Sequence, residues 1–202
     1  MSESESLPEG PDEMADQPAS WQVHDVERIW DGPAPFSVRR DMISAPGHPD
    51  ETFGRLVLEH PGAVVVLALD EQERALVLHQ YRHPALQRMV ELPAGLLDVE
   101  GEDPLEAAKR ELREEGLVLA DRWSHLFTTY SSPGLSSEKI SYFLAEGLSS
   151  AEDRAGFQPE HEELDMTLSW VPVQELLDGV REGRISDGPT AQAVLGYQVF
   201  RR

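Results

Sequence analysis

Three glutamates lie close together in a short segment that reads as a helix. Glu114 and Glu115 follow Glu111 at spacings of three and four residues, so the three side chains are neighbours on the helix surface. Like charges at these spacings destabilise a helix unless a cation neutralises them. Hard divalent cations prefer oxygen ligands, so we expect Mg²⁺ here, with Mn²⁺ as a substitute. The charge pattern alone also fits a solvated acidic helix that Lys109 and Arg113 partly balance.

The loop before this helix is rich in Gly and Pro. It contains Pro93, Ala94 and Gly95, and the carbonyl of Ala94 would add a ligand if the loop folds back on the helix. A metal ion beside such a loop suggests chemistry on phosphate groups.

Composition narrows the possible functions. The 202 residues carry a formal net charge of -21 and include no Cys, which excludes disulfides, thiolate zinc sites and a Cys nucleophile. Nucleic-acid binding is disfavoured as the main function, because binding a phosphate backbone requires Lys and Arg. With no long apolar run and no secretory signal, we expect a cytoplasmic protein that does not bind membranes.

The helix that carries the glutamates has clear boundary signals. Asp103 is a plausible N-cap, Pro104 suits the first helical position and Glu106 completes a capping box. Gly116 is expected to stop the helix.

The rest of the chain predicts a layered α/β domain with a small sheet before it. We expect a disordered acidic tail over residues 1–20, a small antiparallel β-domain over 21–60 and the main domain over 61–202. Strands are predicted at residues 21–30, 36–43, 52–59, 63–69, 75–81, 89–92, 123–130, 139–146 and 164–171. An acidic loop is expected over 149–163, and further helices over 173–181 and 190–201.

The central segment resembles the Nudix box, G-x5-E-x7-R-E-U-x-E-E-x-G-U, where U is a bulky aliphatic residue. Glu102 is followed by seven residues and then by Arg-Glu-Leu-Arg-Glu-Glu at positions 110–115. Two departures exist: six residues rather than five separate Gly95 from Glu102, and Gly116-Leu117 stands where the box has x-Gly. The resemblance implies a Nudix-type α/β/α sandwich with a mixed sheet. It also implies an enzyme that hydrolyses nucleoside diphosphates linked to another moiety.

The family pattern also implies roles for individual residues. Glu111 and Glu115 would bind the metal ion, and Glu114 would be a further ligand or would hold a water molecule. Ala94 would contribute its carbonyl, and Arg110 would orient the carboxylates.

Three further segments are similar to the ADP-ribose pyrophosphatase branch of the family. They are Gln-Tyr-Arg-His-Pro at 80–84, Glu-Leu-Pro-Ala-Gly at 91–95, and Ser-Pro-Gly at 132–134 followed by Glu138. In this family, a proline at the position of Pro133 is associated with ADP-sugar hydrolysis. The resemblance therefore implies Mg²⁺-dependent hydrolysis of ADP-ribose to AMP and ribose 5-phosphate. The alternatives are another nucleotide sugar or a dinucleotide as substrate, or a non-catalytic ADP-ribose sensor, against which the intact carboxylates argue.

In that branch the small N-terminal sheet is swapped between subunits, so a homodimer is expected. Phe36 would stack on adenine, although an ordinary core position is the alternative. Arg82 would hold a phosphate, or would instead be a surface arginine paired with Glu91. Glu138 would contact the ribose or a metal-bound water, or would be a solvated acid at a strand edge.

The general base of that branch comes from a mobile downstream loop, here residues 157–165. Glu162 is the first candidate and Glu163 the second, because a loop acid can close over the substrate. The alternative is a flexible acidic loop with no fixed role. By chemistry alone His161 would also suffice, but a lone His in a polar loop is more often solvated.

Overall fold

A computed structural model describes residues 14–33, 35–156, 158 and 164–201 of the chain. Glu162, Glu163 and His161 lie outside the described residues, as do residues 1–13 of the expected acidic tail. Among the described residues, no helix combines the length and the apolar character needed to cross a membrane.

The N-terminal sheet forms as its sequence pattern predicts. It consists of β1 (Gln22–Asp31), β2 (Ser37–Ser44) and β3 (Thr52–Glu59), antiparallel and in that spatial order. Their bounds differ from the predicted ones by at most one residue at each end. The strand β1 is exposed along its whole length.

The central sheet is mixed, as predicted. It contains β4 (Ala63–Ala68), β7 (Ala94–Leu96), β8 (Val118–Tyr130) and β9 (Lys139–Ser150), in the order β7-β4-β9-β8. The pair β4–β9 is parallel, and the other two pairs are antiparallel. A third sheet, β10-β5-β6, joins β5 (Arg74–Arg82), β6 (Gln87–Glu91) and β10 (Thr167–Pro172), and a 3-10 turn, His83–Ala85, links β5 to β6.

Helices cover both faces of β4, whose six residues are all buried. Val65 and Leu67 pack in one cluster with residues of α2 (Val173–Arg181) and α3 (Gly188–Phe200). Val64 and Val66 point the other way, into a cluster with residues of α1 (Pro104–Gly116). This alternation produces the expected α/β/α sandwich, because successive strand residues face opposite sides of a sheet.

Several predicted bounds are wrong. The strand β8 begins at 118 rather than 123, and β9 continues to 150, so the expected acidic loop starts later. The strand β10 covers 167–172 rather than 164–171, and α3 begins two residues early because Asp187 caps it, accepting a hydrogen bond from the N–H of Thr190 at 2.8 Å.

The start of α1 is as predicted, but the residue that caps its end is not. The side chain of Asp103 accepts a hydrogen bond from the N–H of Leu105 at 2.9 Å. Gly116 is the last helical residue, and Leu117 takes the left-handed conformation with φ 53° and ψ 35°. The helix ends at Gly116, but the left-handed residue that terminates it is Leu117 and not the expected glycine. A Cβ at Gly116 would lie 2.6 Å from Cδ2 of Leu76, so a larger residue would push against the buried side chain of Leu76 on β5.

Candidate active site

The loop before α1 lies against the helix at Gly95. A Cβ at this position would overlap the carboxyl group of Glu111. Only glycine therefore lets the short strand β7 approach the carboxylate so closely. Glu115 joins the same contact, because its Oε2 accepts a hydrogen bond from the N–H of Ala94 at 2.9 Å. Ala94 thus reaches this helix through its amide group.

Arg110 binds three carboxylates at once. Its guanidinium donates to both oxygens of Glu102, at 3.1 and 3.0 Å, to Glu111 at 2.6 Å and to Glu114 at 3.1 Å. Hydrogen bonding to Glu102, above all, raises the pKa of Arg110. The arginine therefore keeps its charge and holds the three carboxylates beside one another.

Glu111 is a carboxylate with too little compensating charge. Its side chain is buried, and burial raises its pKa to about 7, with smaller contributions from the charges of Glu114 and Asp98 and with Arg110 opposing them. Binding of a further cation beside Glu111 would be favourable, because burial penalises an uncompensated charge.

The donor chemistry of this cluster suits a hard divalent ion, since its side-chain donors are carboxylate oxygens. In the described part of the chain, no three acidic or histidine side chains already converge on one point to hold a metal ion. Arg110 instead lies between two of these carboxylates, since one of its Nη atoms donates to both Glu111 and Glu114.

A cavity of about 610 Å³ opens beside this cluster. Seven of the residues predicted from the sequence line it: Arg82, Ala94, Arg110, Glu111, Glu114, Glu115 and Glu138. A cavity of this size accommodates a nucleotide-sized ligand. The fold therefore brings residues from β5, β7, α1 and the β8–β9 loop to one place.

Arg82 is paired with Glu91, which was the alternative to a phosphate-binding role. It donates two hydrogen bonds to the carboxylate of Glu91, at 2.9 and 2.7 Å. Glu91 is buried, whereas the side chain of Arg82 remains 49% exposed. The pKa of Arg82 is raised, chiefly by its hydrogen bond to Glu91. The exposed part of the guanidinium is left available to the cavity, so this pairing does not exclude a phosphate partner.

Phe36 and Pro133 do not line this cavity. Phe36 belongs to a second cavity of about 400 Å³, where its ring stacks with Trp30 at 5.5 Å and with His60 at 6.3 Å between centroids. Phe36 is 38% exposed, which differs from an ordinary core position. Pro133 lies in the exposed loop between β8 and β9. The predicted substrate contacts of these two residues remain predictions.

Sequence reasoning did not identify three residues of the site. Gln80 and Asp98 line the larger cavity, and His60 lies between the two cavities beside Glu138. Gln80 is a buried polar residue two positions after the buried apolar run Ala75–Leu78, and a polar side chain on this strand was a readable signal. Nothing local marks His60, because its neighbours Phe36 and Glu138 are distant in sequence.

Comparison with known proteins agrees with this geometry. The NUDIX domain model matches residues 59–191. An ADP-ribose pyrophosphatase of Mycobacterium tuberculosis is 42% identical over 162 residues, which cover 79% of this chain and 75% of that protein. A methanol dehydrogenase activator of Bacillus methanolicus is 38% identical over 174 residues, which cover 86% and 90% of the two chains.

A solved structure described as an ADP compounds hydrolase has the same fold. It superposes with a TM-score of 0.73 at 16% identity and covers 92% of this chain and 96% of its own. Nudix hydrolases generally require a divalent metal ion, which fits the carboxylate cluster. The chain belongs to the NUDIX family as a Nudix hydrolase, and the family resemblance predicted from its carboxylate spacing is confirmed.

Proposed function

We propose that this protein hydrolyses the diphosphate bond of ADP-ribose to AMP and ribose 5-phosphate, with Mg²⁺ as its metal ion and Mn²⁺ as a substitute. The observation that carries the proposal is the convergence of three box glutamates, a half-exposed arginine and Glu138 on one cavity. The M. tuberculosis relative bears the name of this activity, which supports the choice of substrate.

Glu111, Glu114 and Glu115 would hold the metal ion, with the carbonyl of Ala94 as a further ligand. When bound, the ion neutralises the diphosphate and makes its phosphorus more electrophilic. Arg110 keeps the carboxylates oriented, as its three ion pairs indicate.

Other side chains would bind the two ends of the substrate. Arg82 would donate to a phosphate oxygen, because Glu91 already fixes its guanidinium plane. Glu138 would accept a hydrogen bond from a ribose hydroxyl, and Phe36 would stack on the adenine. Pro133 would shape the loop that precedes Glu138.

Glu162 would accept the proton of the attacking water, with Glu163 as the second candidate. Support comes from the two described flanks of their loop. On one flank Arg154 donates to the carbonyl of Glu114 at 2.8 Å, and on the other Arg88 is paired with Asp165. The two described flanks of the loop are therefore held by the main domain, one at the last turn of α1 and the other at β6.

A homodimer with a swapped N-terminal sheet completes the proposal. The strand β1 is an edge strand with every residue exposed. This strand and the residue before it carry apolar side chains that a partner would cover: Trp21, Val23, Val26, Ile29 and Trp30.

A substrate panel tests the proposed activity. The full chain is assayed with Mg²⁺ against ADP-ribose, GDP-mannose and a diadenosine polyphosphate, with Glu115→Gln as the inactive control. We expect the highest kcat/KM for ADP-ribose, with AMP as a product. Faster turnover of either other substrate would reject the specificity. ADP-ribose binding without turnover in Mg²⁺ or Mn²⁺ would instead identify a sensor.

A further inference from the structure

His60 lies between the two cavities described above, lining the smaller one beside Glu138 of the larger one. It follows β3, and its side chain is only 11% exposed. The imidazole ring of His60 stacks with the ring of Phe36. The two planes lie 15° apart, and their centroids are separated by 6.3 Å. On the other side, its Nε2 is 3.7 Å from Oε1 of Glu138, which lines the larger cavity.

One backbone contact orients the ring of His60, and a second holds its main chain. The N–H of Gly62 donates to Nδ1 of His60 at 3.1 Å, so Nδ1 carries no proton and the ring proton is on Nε2. The backbone N–H of His60 donates to Oγ of Ser137 at 3.0 Å. The N–H group at Nε2 is therefore the one directed at Glu138, immediately after Ser137.

This link joins the N-terminal sheet to the loop of the main domain. The N–H of Leu58 donates to the carbonyl of Leu135 at 2.9 Å, and the N–H of Ser137 donates to the carbonyl of Leu58 at 3.0 Å. Movement of the aromatic stack would therefore be transmitted to Glu138 through His60 and this short ladder.

We propose that His60 is a positioning residue that couples base binding in the smaller cavity to the placement of Glu138 in the larger one. The inference rests on the proposed function, because it assigns Phe36 to a planar base and Glu138 to the sugar end of a nucleoside diphosphate. At 3.7 Å the His60–Glu138 contact is longer than a hydrogen bond. It shortens when substrate fills both cavities, since contacts in empty active sites tighten in the complex.

Two substitutions separate the ring from its N–H group. His60→Phe keeps an aromatic ring beside Phe36 but removes the donor to Glu138. His60→Gln places an amide donor near the position of Nε2 but removes the ring. We expect His60→Phe to lower kcat for ADP-ribose about tenfold with KM nearly unchanged, the low end of losses from removing an outer hydrogen-bond partner. We expect His60→Gln to raise KM with kcat largely retained.

A double-mutant cycle with Glu138→Gln provides the decisive measurement. His60→Phe should reduce kcat much less when Glu138 is already Gln, because its effect acts through that carboxylate. Equal losses in both backgrounds, or the same change in kcat and KM for both single variants, would overturn the proposal. All assays run well below the Tm of each variant, so loss of folded protein does not mimic the effect.

His125→Phe is the matched control. This histidine also contacts an aromatic ring, Phe143 at 5.4 Å, and bonds a hydroxyl, Thr128 at 2.9 Å, but it lines neither cavity. Its turnover should equal that of the wild type.

If another nucleotide sugar is the better substrate, the proposed function fails, whereas the same cycle on that substrate still decides the role of His60.

Discussion

At the scale of single residues, the site depends on a contact that only glycine permits. A methyl group on Gly95 would overlap the carboxyl group of Glu111. The buried acid cannot move away freely, because Arg110 holds it at 2.6 Å. The strand β7 and α1 are therefore in direct contact at Gly95 and Ala94.

Gly95→Ala should lower kcat/KM by at least about a hundredfold while most of the fold remains. The added methyl displaces Glu111, and small misplacements of catalytic groups cost about this much. Steady-state kinetics with an Mg²⁺ titration, alongside circular dichroism, make the measurement. Gly188→Ala is the control, because a Cβ there meets nothing within 4 Å. Near-normal activity of Gly95→Ala would show that the close approach is dispensable.

The charge of Glu111 should destabilise the metal-free protein at neutral and higher pH. Burial raises its pKa from 4.5 to about 7. The native state therefore binds the proton more tightly than the unfolded chain. The free energy of unfolding gained from this tighter proton binding is fully present below pH 4.5 and is lost as the pH rises through about 7. Above that, the cost is about 3 kcal/mol, from roughly 1.4 kcal/mol per pKa unit.

Glu111→Gln removes this charge and should stabilise the metal-free protein at pH 8, with the advantage shrinking towards pH 5. Urea unfolding in EDTA at pH 5, 6, 7 and 8 measures the difference. Glu106→Gln, on the exposed side of α1, should show no such trend. A pH-independent difference between wild type and Glu111→Gln would contradict the argument.

Both candidates for the general base, Glu162 and Glu163, lie outside the described residues. Glu162→Gln should lower kcat at least about a hundredfold, the usual scale for loss of a general base. Glu163→Gln is the paired variant, and the kcat of each is measured against pH with ADP-ribose. Normal turnover of Glu162→Gln would remove Glu162 from the mechanism. A large loss in Glu163→Gln alone would transfer the role.

At the scale of elements, the end of α1 shows how tertiary packing overrides a local signal. The sequence predicts that Gly116 ends the helix, yet Leu117 takes the left-handed conformation, and it stands where the box has its glycine. The side chain of Leu76 on β5 instead lies where a Cβ of residue 116 would make a close contact. Nothing near α1 in the sequence reveals that contact.

Gly116→Ala should therefore destabilise the protein by about 1–3 kcal/mol, the range for overpacking a core. In a Leu76→Val background the δ carbons are gone, so the same substitution should cost less. Urea unfolding of the four proteins in this cycle gives the coupling energy. Equal costs in the two backgrounds would show that the Leu76 contact is not the cause.

Other elements show what local pattern can and cannot predict. Asp103 and Pro104 located the start of α1, and the box located Arg110 and its carboxylates, because all of these signals are local. The first five residues of β8 were missed, since they follow the helix directly and most of them are not buried. His60 was missed for the opposite reason, because its neighbours come from distant segments.

At the scale of the whole molecule, net charge opposes the binding of an anionic substrate. A charge of -21 repels a diphosphate, and only local cations overcome that field. Arg82 and the metal ion would supply them at the cavity. The same charge also opposes self-association, so any dimer must gain its stability from apolar contact.

The N-terminal sheet offers that contact. As an edge strand exposed along ten residues, β1 would invite non-specific pairing unless a partner covers it. Val26, at its centre, is 54% exposed, with Val23 and Ile29 near it on the same strand. These apolar side chains are the surface that a second copy would bury.

Val26→Asp should therefore convert the expected homodimer to a monomer, because a charge at the centre of an apolar interface is left buried and unpaired. Light scattering after size-exclusion chromatography measures the mass at micromolar concentration, and kcat/KM for ADP-ribose is measured on the same samples. Leu119→Asp places the same charge on another exposed apolar residue, on β8, and should leave the mass unchanged. If the sheet is swapped, the monomeric variant also loses activity, since the aromatic stack at Phe36 depends on the arrangement of this sheet. A wild type that is already monomeric would reject the dimer, and a monomeric variant with full activity would separate assembly from catalysis.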